Sequence, residues 1–215
     1  MIRILLLDDH AVVRTGYRRL IDAEPGLQVV AEAGTADEAY ACLLEGGIDV
    51  AVVDLSLRGS SGIEAIRRML ARDAGLKVLV LSMHDNPGFI TQAMRAGALG
   101  YLTKSSEPDE MFNAIRAVAA GRRVLCADIA QALASASLDG EQILARLTPR
   151  EFEVLRMAAS GEAASCIASR MHLSPKTILN HLSTIRHKLD ADNDFKLLRL
   201  AVRHGLVEFP AETTC

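Results

Sequence analysis

The sequence predicts two domains in tandem: a doubly wound α/β domain built on five parallel strands, then a small all-α domain of four helices containing a helix-turn-helix. Three observations carry this. Short β-rich apolar runs alternate with amphipathic segments over residues 2–118, the pattern of right-handed βαβ units whose sheet is covered on both faces. After Gly121 the alternation gives way to an alanine- and serine-rich stretch, ADIAQALASAS. From Leu147 onward the apolar spacing is helical and punctuated by capping signals.

In chain order, strands are expected at 2–7, 27–31, 50–53, 78–81 and 101–102, and helices at 12–21, 36–44, 63–70, 89–96 and 111–118. Residues 127–137 lack the large apolar side chains of a core and read as a linker. Thr148-Pro149-Arg150-Glu151 is a helix start, with a capping threonine, proline at the first helical position and glutamate at the third. Phe152, Leu155, Ala158 and Ala159 form its apolar stripe, and Gly161 closes it. A second helix runs through Ala164, Ile167, Ala168 and Met171. Ser174-Pro175 opens a third carrying Ile178, Leu182, Ile185 and Leu189, and residues 195–204 form the fourth. The resulting division is 1–121 for the α/β domain, 122–146 for the linker, 147–209 for the helical domain and 210–215 for a tail.

A chain of 215 residues that is 50% hydrophobic and 24% charged can bury substantial cores, which excludes a disordered polymer. No apolar run approaches the ~18 to 20 residues of a membrane span, and the first residues lead into aspartates rather than a cleavable signal. The expectation is a cytoplasmic protein with no membrane partner. Cys42, Cys126, Cys166 and Cys215 lie far apart without metal-ligand spacing and read as buried or incidental thiols. The net charge of -3 argues against a surface that coats nucleic acid throughout, but a net value hides segregation.

In open α/β sheets, ligands bind outside the carboxyl ends of the strands. Asp8 and Asp9 end the first strand, Asp54 the third and Ser82 the fourth, and Lys104 follows the fifth, so polar residues from four strands converge on one edge. A single aspartate at a strand end is ordinarily a turn residue or helix cap. Three crowded carboxylates repel, and a hard cation such as Mg2+, which takes a few carboxylates together with water and phosphate oxygens, resolves the repulsion. Asp54, on the central strand, is placed as nucleophile for a phosphoryl group, with Lys104 and Ser82 to neutralise and hydrogen-bond its oxygens. An aspartate-based phosphohydrolase would carry a second acid two residues after the nucleophile. That position is Ser56, so the expectation is a phospho-acceptor and not an enzyme.

Leu6-Leu7-Asp8-Asp9-His10, Asp54-Leu55-Ser56, Leu81-Ser82-Met83 and Gly100-Tyr101-Leu102-Thr103-Lys104 resemble the receiver domain of two-component response regulators, over residues 1–121. The resemblance implies a flavodoxin-like fold and phosphorylation of Asp54 by a histidine kinase or a small acyl phosphate. It further implies Mg2+ held by Asp8, Asp9, Asp54 and the Ser56 backbone carbonyl, Lys104 paired with the phosphoryl group, and Ser82 with Tyr101 as the switch pair. Residues 87–96, Tyr101 and residues 108–120 form the face expected to rearrange. Arg58 stands where the family usually has proline, a departure in the loop beside the acceptor.

Between Ala163 and Leu189 there is no acidic residue, whereas Arg170, Lys176, Arg186 and Lys188 are present with His172, His181 and His187. Such segregation is the electrostatic footprint of a phosphate-binding surface, although a basic helix face is often simply solvated. The order helix, turn at 172–175, longer helix reads as a helix-turn-helix whose second helix enters the major groove by its N-terminal end. Lys176, Thr177, Leu179, Asn180, Ser183 and Arg186 face away from its apolar stripe. Asn180 can read an adenine edge and Leu179 can touch a thymine methyl, while Lys176, Thr177, Arg186 and Lys188 suit phosphates.

Leu147-Thr148-Pro149-Arg150-Glu151, Ile167-Ala168, and Leu173-Ser174-Pro175-Lys176-Thr177-Ile178 followed by Asn180-His181-Leu182 resemble the LuxR-type output domain of the NarL/FixJ response regulators, over residues 147–209. Leu179 departs from the basic residue many members carry there. Residues 200–207, LAVRHGLV, are similar to the tail of GacA/UvrY-type regulators. The family pairs subunits through its last helix, which makes Leu197, Leu198, Ala201 and Val202 the expected dimer face; packing inside the domain is the other reading of these four. The resemblance as a whole implies a DNA-binding response regulator in which phosphorylation promotes homodimerisation and promoter binding. Its implied partners are promoter DNA, a cognate sensor histidine kinase, a second copy and RNA polymerase. The alternative is a DNA-binding regulator independent of phosphorylation, with the receiver as a protein-interaction module.

Overall fold

The computed structural model describes residues 1–57, 61–126, 129–131, 133 and 142–207. The chain divides into two compact units, Met1–Ala136 and Ser137–Cys215. The first alternates strand and helix: β1 (Ile2–Leu7), α1 (Ala11–Ala23), β2 (Leu27–Ala33), α2 (Ala36–Glu45), β3 (Val50–Val53), α3 (Gly62–Arg72), β4 (Lys77–Ser82), α4 (Pro87–Ala96), β5 (Gly100–Thr103), α5 (Pro108–Ala119) and β6 (Val124–Leu125). All pairings are parallel, in the order β2-β1-β3-β4-β5-β6. The chain winds to one side of β1 and then back to the other, so the carboxyl ends of β1 and β3 flank the switch point where doubly wound sheets hold ligands.

The sixth strand was not expected. Val124 and Leu125 fall in the stretch read as linker, yet they pair with Gly100 and Tyr101. Two residues are too few to display a period, and both are only half-buried, so no apolar run announces them. The central strands, in contrast, are covered on both faces: Ile4, Leu5, Leu6 and Leu7 are all buried, as are residues 50–53. Met111, Ile115 and Val118 of α5 pack on the face carrying Ile4, Val52 and Leu79.

The helices start where side chains cap them. Thr35, Ser61 and Asn86 each accept a hydrogen bond from a main-chain N–H in the first turn of α2, α3 and α4. One glycine is required by close approach. A Cβ on Gly62 would lie 2.4 Å from the main-chain oxygen of Asp54 and 2.4 Å from Leu55 Cα, so α3 begins directly against the strand end that carries Asp54.

In the second unit a 3₁₀ turn (Gln142–Arg146) precedes α6 (Pro149–Ala159), α7 (Ala164–Arg170), α8 (Pro175–Lys188) and α9 (Asp194–Arg203). The capping box expected from the sequence forms: Thr148 Oγ1 accepts from Glu151 N–H, and the Glu151 carboxylate accepts from Thr148 N–H at 2.7 Å. Phe152, Leu155, Ile167, Ile178, Ile185 and Ala201 are its fully buried centre. Helices α7 and α8 pack on each other and on α6, which α9 also contacts. Two non-glycine residues take left-handed backbone: His172, φ 53°, in the turn before α8, and Asp190, φ 51°, after its end.

Among the described residues no helix is long and apolar enough to cross a membrane. Cys42, Cys126 and Cys166 are free thiols, and Cys215 lies outside the described residues.

Candidate functional site

Each acid at the sheet edge is held by the strand that delivers it. Asp54 N–H donates to Leu7 O at 2.8 Å and Asp8 N–H to Ala33 O at 3.1 Å, so the ladders of β1, β2 and β3 set the positions of both carboxylates. Asp8 and Asp54 are 5% and 3% exposed, burial that ionised groups tolerate only with partners. The partner is Lys104. Its Nζ lies 2.7 Å from Asp8 Oδ2 and 2.7 Å from Asp54 Oδ2, although the residues are 96 and 50 positions apart in sequence. Burial would lower the ammonium pKa, but hydrogen bonds to Asp54 and Asp8, reinforced by their charges, outweigh it and hold the group above the ordinary lysine value.

The remaining contacts order the rim. Asp54 Oδ1 accepts from Ser56 N–H at 3.1 Å, and Asp8 Oδ1 accepts from His10 N–H at 2.7 Å. Ligand atoms of Asp8, Asp9, His10 and Asp54 all lie within 4.8 Å of one another. Three carboxylates outnumber the one ammonium here, the Arg14 guanidinium donates to the Asp8 main-chain oxygen, and hard oxygens on two strand ends are the donor set that suits Mg2+. His10, whose Nδ1 sits 2.9 Å from Asp9 Oδ1, is a neighbour that sequence spacing did not single out.

Ser82 and Tyr101, on adjacent strands, are both fully buried. Ser82 Oγ accepts from His84 N–H at 3.2 Å, and Tyr101 OH donates to His84 O at 2.7 Å, so the two meet at one loop residue. Burial raises the Tyr101 hydroxyl well above its usual pKa, and it stays a neutral donor at any physiological pH. Arg58 lies outside the described residues.

On the helical unit the expected reading face divides. Lys176, Leu179, Asn180 and Ser183 are exposed along α8, with Leu179 56% exposed. Thr177 belongs to the helix start, its Oγ1 2.8 Å from Ser174 Oγ and its N–H donating to the same oxygen. Arg186 pairs with Asp194 through Nε at 2.9 Å, a solvated contact that costs little to exchange. Lys188, expected on phosphate, points the other way: its Nζ lies 2.9 Å and 2.7 Å from the two oxygens of buried Glu151. Helical spacing placed it on the basic side, but an acid 37 residues upstream holds it against the domain.

The expected dimer face also divides. Leu197 and Ala201 are 5% and 0% exposed and belong to the domain's own core, whereas Leu198 is half-buried and Val202 exposed. Phe195, missed by sequence reasoning, is 76% exposed, and with Leu198 and Val202 it forms an outward stripe at i, i+3 and i+7.

Residues 4–116 match the family described as response regulator receiver domain, and residues 145–201 the bacterial regulatory proteins of the luxR family. The chain is a NarL/FixJ-family response regulator. It is 36% identical to the response regulator UvrY of Escherichia coli over 209 residues, 96% of each chain. It is 37% identical to the response regulator GacA of Pseudomonas aeruginosa over 211 residues, 97% of this chain and 99% of the relative. The structure of RcsB from Salmonella enterica serovar Typhimurium, bound to promoter rprA in the presence of phosphomimetic BeF3-, is similar with a TM-score of 0.75 and 25% identity, covering 93% of this chain and 97% of that one. This regulator is thus a two-component receiver joined to a LuxR-type DNA-binding output domain.

Proposed function

We propose that the regulator accepts a phosphoryl group on Asp54 and in that state dimerises and binds promoter DNA to control transcription. The observation that carries this is the Lys104 ammonium set 2.7 Å from both Asp8 and Asp54 at the sheet's switch point. The donor is a histidine kinase or a small acyl phosphate. The donor's P–N or P–O bond breaks as a P–O bond to Asp54 forms, and the donor atom leaves with the electron pair. Asp8, Asp9, Asp54 and the Ser56 carbonyl would hold Mg2+, which when bound neutralises phosphoryl oxygens. Lys104 exchanges a carboxylate for a phosphoryl oxygen with short travel, and Ser82 supplies a hydroxyl on the neighbouring strand. Drawing Ser82 toward that oxygen loosens its bond to His84, the residue on which Tyr101 also rests, and so biases the face of α4 and β5.

For the output, Lys176, Asn180, Leu179 and Ser183 form the exposed reading face of α8, with the positive end of its dipole adding to phosphate affinity. Arg186 and Thr177 contribute at its margin, and Lys188 serves the scaffold. A second copy docks on Phe195, Leu198 and Val202. We retain the functional division 1–121, 122–146, 147–209 and 210–215, with residues 124–125 counted in the sheet. The cytoplasm is the proposed location, with RNA polymerase a further partner.

The test is the intact mass after incubation with acetyl phosphate and MgCl2, with Asp54→Ala in parallel. One added phosphoryl group on the wild type alone supports the reading. No addition under conditions that label another receiver refutes it, and points to the receiver as a protein-interaction module.

A further inference from the structure

His84 follows Ser82 by two residues and has no role in the reading above beyond its main chain. Its side chain makes two contacts that lead in opposite directions. Nε2 lies 3.0 Å from Ser56 Oγ, across 28 positions of sequence. The ring stacks on Phe89 in the first turn of α4, with centroids 4.1 Å apart and planes inclined by 3°. The main chain of His84 is fixed as well, between Ser82 Oγ and Tyr101 OH. A planar side chain stacked on one side and bonded at its far nitrogen has few rotamers left.

Ser56 in turn is fixed twice. Its N–H donates to Asp54 Oδ1, and its hydroxyl meets the imidazole. Without the second contact, an exposed serine in a loop after a strand would be tethered to the site by one hydrogen bond. With it, the loop is braced against α4. We infer that the His84 imidazole is a positioning residue for the cation site: by bracing Ser56 against Phe89 it keeps the Ser56 main chain in place as a ligand beside Asp8, Asp9 and Asp54. This rests on the reading of those residues as a Mg2+ site. It also gives the site a connection to α4 that runs through the His84 side chain, while the main chain of the same residue is held by Ser82 and Tyr101.

A contact at this position acts as a pre-organising bond. Its loss costs affinity by about the net worth of one hydrogen bond, about three- to tenfold in Kd for Mg2+. The measurement is an amide chemical-shift titration of the full chain with MgCl2 alone, which needs no phosphoryl donor. His84→Ala and Ser56→Ala are each expected to weaken Mg2+ by that factor. The double variant should bind no more weakly than His84→Ala, because both remove one contact. His84→Gln, which returns a hydrogen-bonding amide near the position of Nε2, should recover most of the affinity; a merely structural role gives no such recovery. Wild-type affinity in both single variants overturns the inference, as does an effect in the double variant equal to the product of the two. If His84→Ala fails to fold, Ser56→Ala carries the test, since it removes the bond and leaves the stack. Absence of Mg2+-dependent shifts at Asp8, Asp9 and Asp54 in the wild type is a different failure. It removes the cation site itself, and the role of His84 with it.

Discussion

Replacing Lys188 with methionine separates the two roles that sequence and structure give that residue. Methionine keeps the aliphatic stem and helix propensity and removes the charge. Glu151 then remains buried, with its Thr148 N–H bond intact but without the ammonium that meets both of its oxygens. Loss of one partner of a fully buried pair costs about 3–5 kcal/mol and of an exposed pair under about 1 kcal/mol. The Glu151 side chain is 8% exposed and that of Lys188 34%, so screening reaches one end only, and the expected loss is about 1.5–2.5 kcal/mol. Its pH dependence follows from Glu151. Burial raises the pKa of that carboxyl, but the Lys188 and Thr148 hydrogen bonds outweigh it and hold the group below the usual 4.5. A depressed folded value contributes stability that is complete above the unfolded value and lost as pH falls through the folded one. The gap between wild type and variant should therefore be widest at neutral pH and narrow in acid. All three tyrosines, Tyr17, Tyr40 and Tyr101, lie in the receiver, so tyrosine emission follows that domain. The variant should shift a far-ultraviolet circular dichroism transition in urea while leaving the tyrosine transition in place. An unchanged helical transition, together with a fall of about one in the salt slope of DNA binding, would refute the scaffold role and return Lys188 to the phosphates.

Two further predictions concern the same domain. Asp190 holds φ 51° where α8 ends, and Asp190→Gly should relieve about 1 kcal/mol and raise the midpoint of the helical transition; a lower midpoint would show that its side chain compensates for the backbone. Phe195→Ser should leave folding within about 0.5 kcal/mol because the ring is 76% exposed, yet weaken self-association of the acetyl-phosphate-treated chain in sedimentation velocity by about 30-fold, or about 2 kcal/mol shared over two symmetric contacts. An unchanged dimer constant would place the interface elsewhere.

What was legible in the sequence had a spacing to betray it. Asp8, Asp54 and Ser82 were found because each stands at the end of a strand with a clear apolar run, and Lys104 because it follows the short run Tyr101-Leu102 in the same alternation; a parallel sheet carries such ends to one edge. Thr148 and Glu151 were found because a capping box is local. The contacts that escaped are those joining residues of unrelated position: His84 to Ser56 across 28 residues, and Lys188 to Glu151 across 37. Helical periodicity says which face a side chain occupies and is silent on what packs there. For that reason periodicity left Leu197 and Ala201 open between the dimer face and the domain's own core, which they close, and passed over Phe195. Strand β6 escaped for a simpler reason, being shorter than any period.

The two lysine contacts, set beside each other, show what makes one a site and the other a brace. Lys188 meets one carboxylate, and Glu151 has a main-chain N–H for a further lone pair, so charge and hydrogen bonding both close. Lys104 meets two carboxylates, and a ligand atom of a third, Asp9, lies within 4.8 Å of theirs, so acids outnumber the ammonium in an excess that is set where Asp8 and Asp54 are nearly inaccessible. On the proposed function such an excess calls for a cation, and a phosphoryl group arriving with one would give Lys104 a new oxygen and the acids a new counter-charge. Balanced charge favours a fixed arrangement; an imbalance that ligands complete favours two arrangements close in energy, which is the condition for a switch. The same reasoning predicts that adding a positive charge beside Asp9 would stabilise the receiver and blunt its response, since the demand would then be met before any signal arrives.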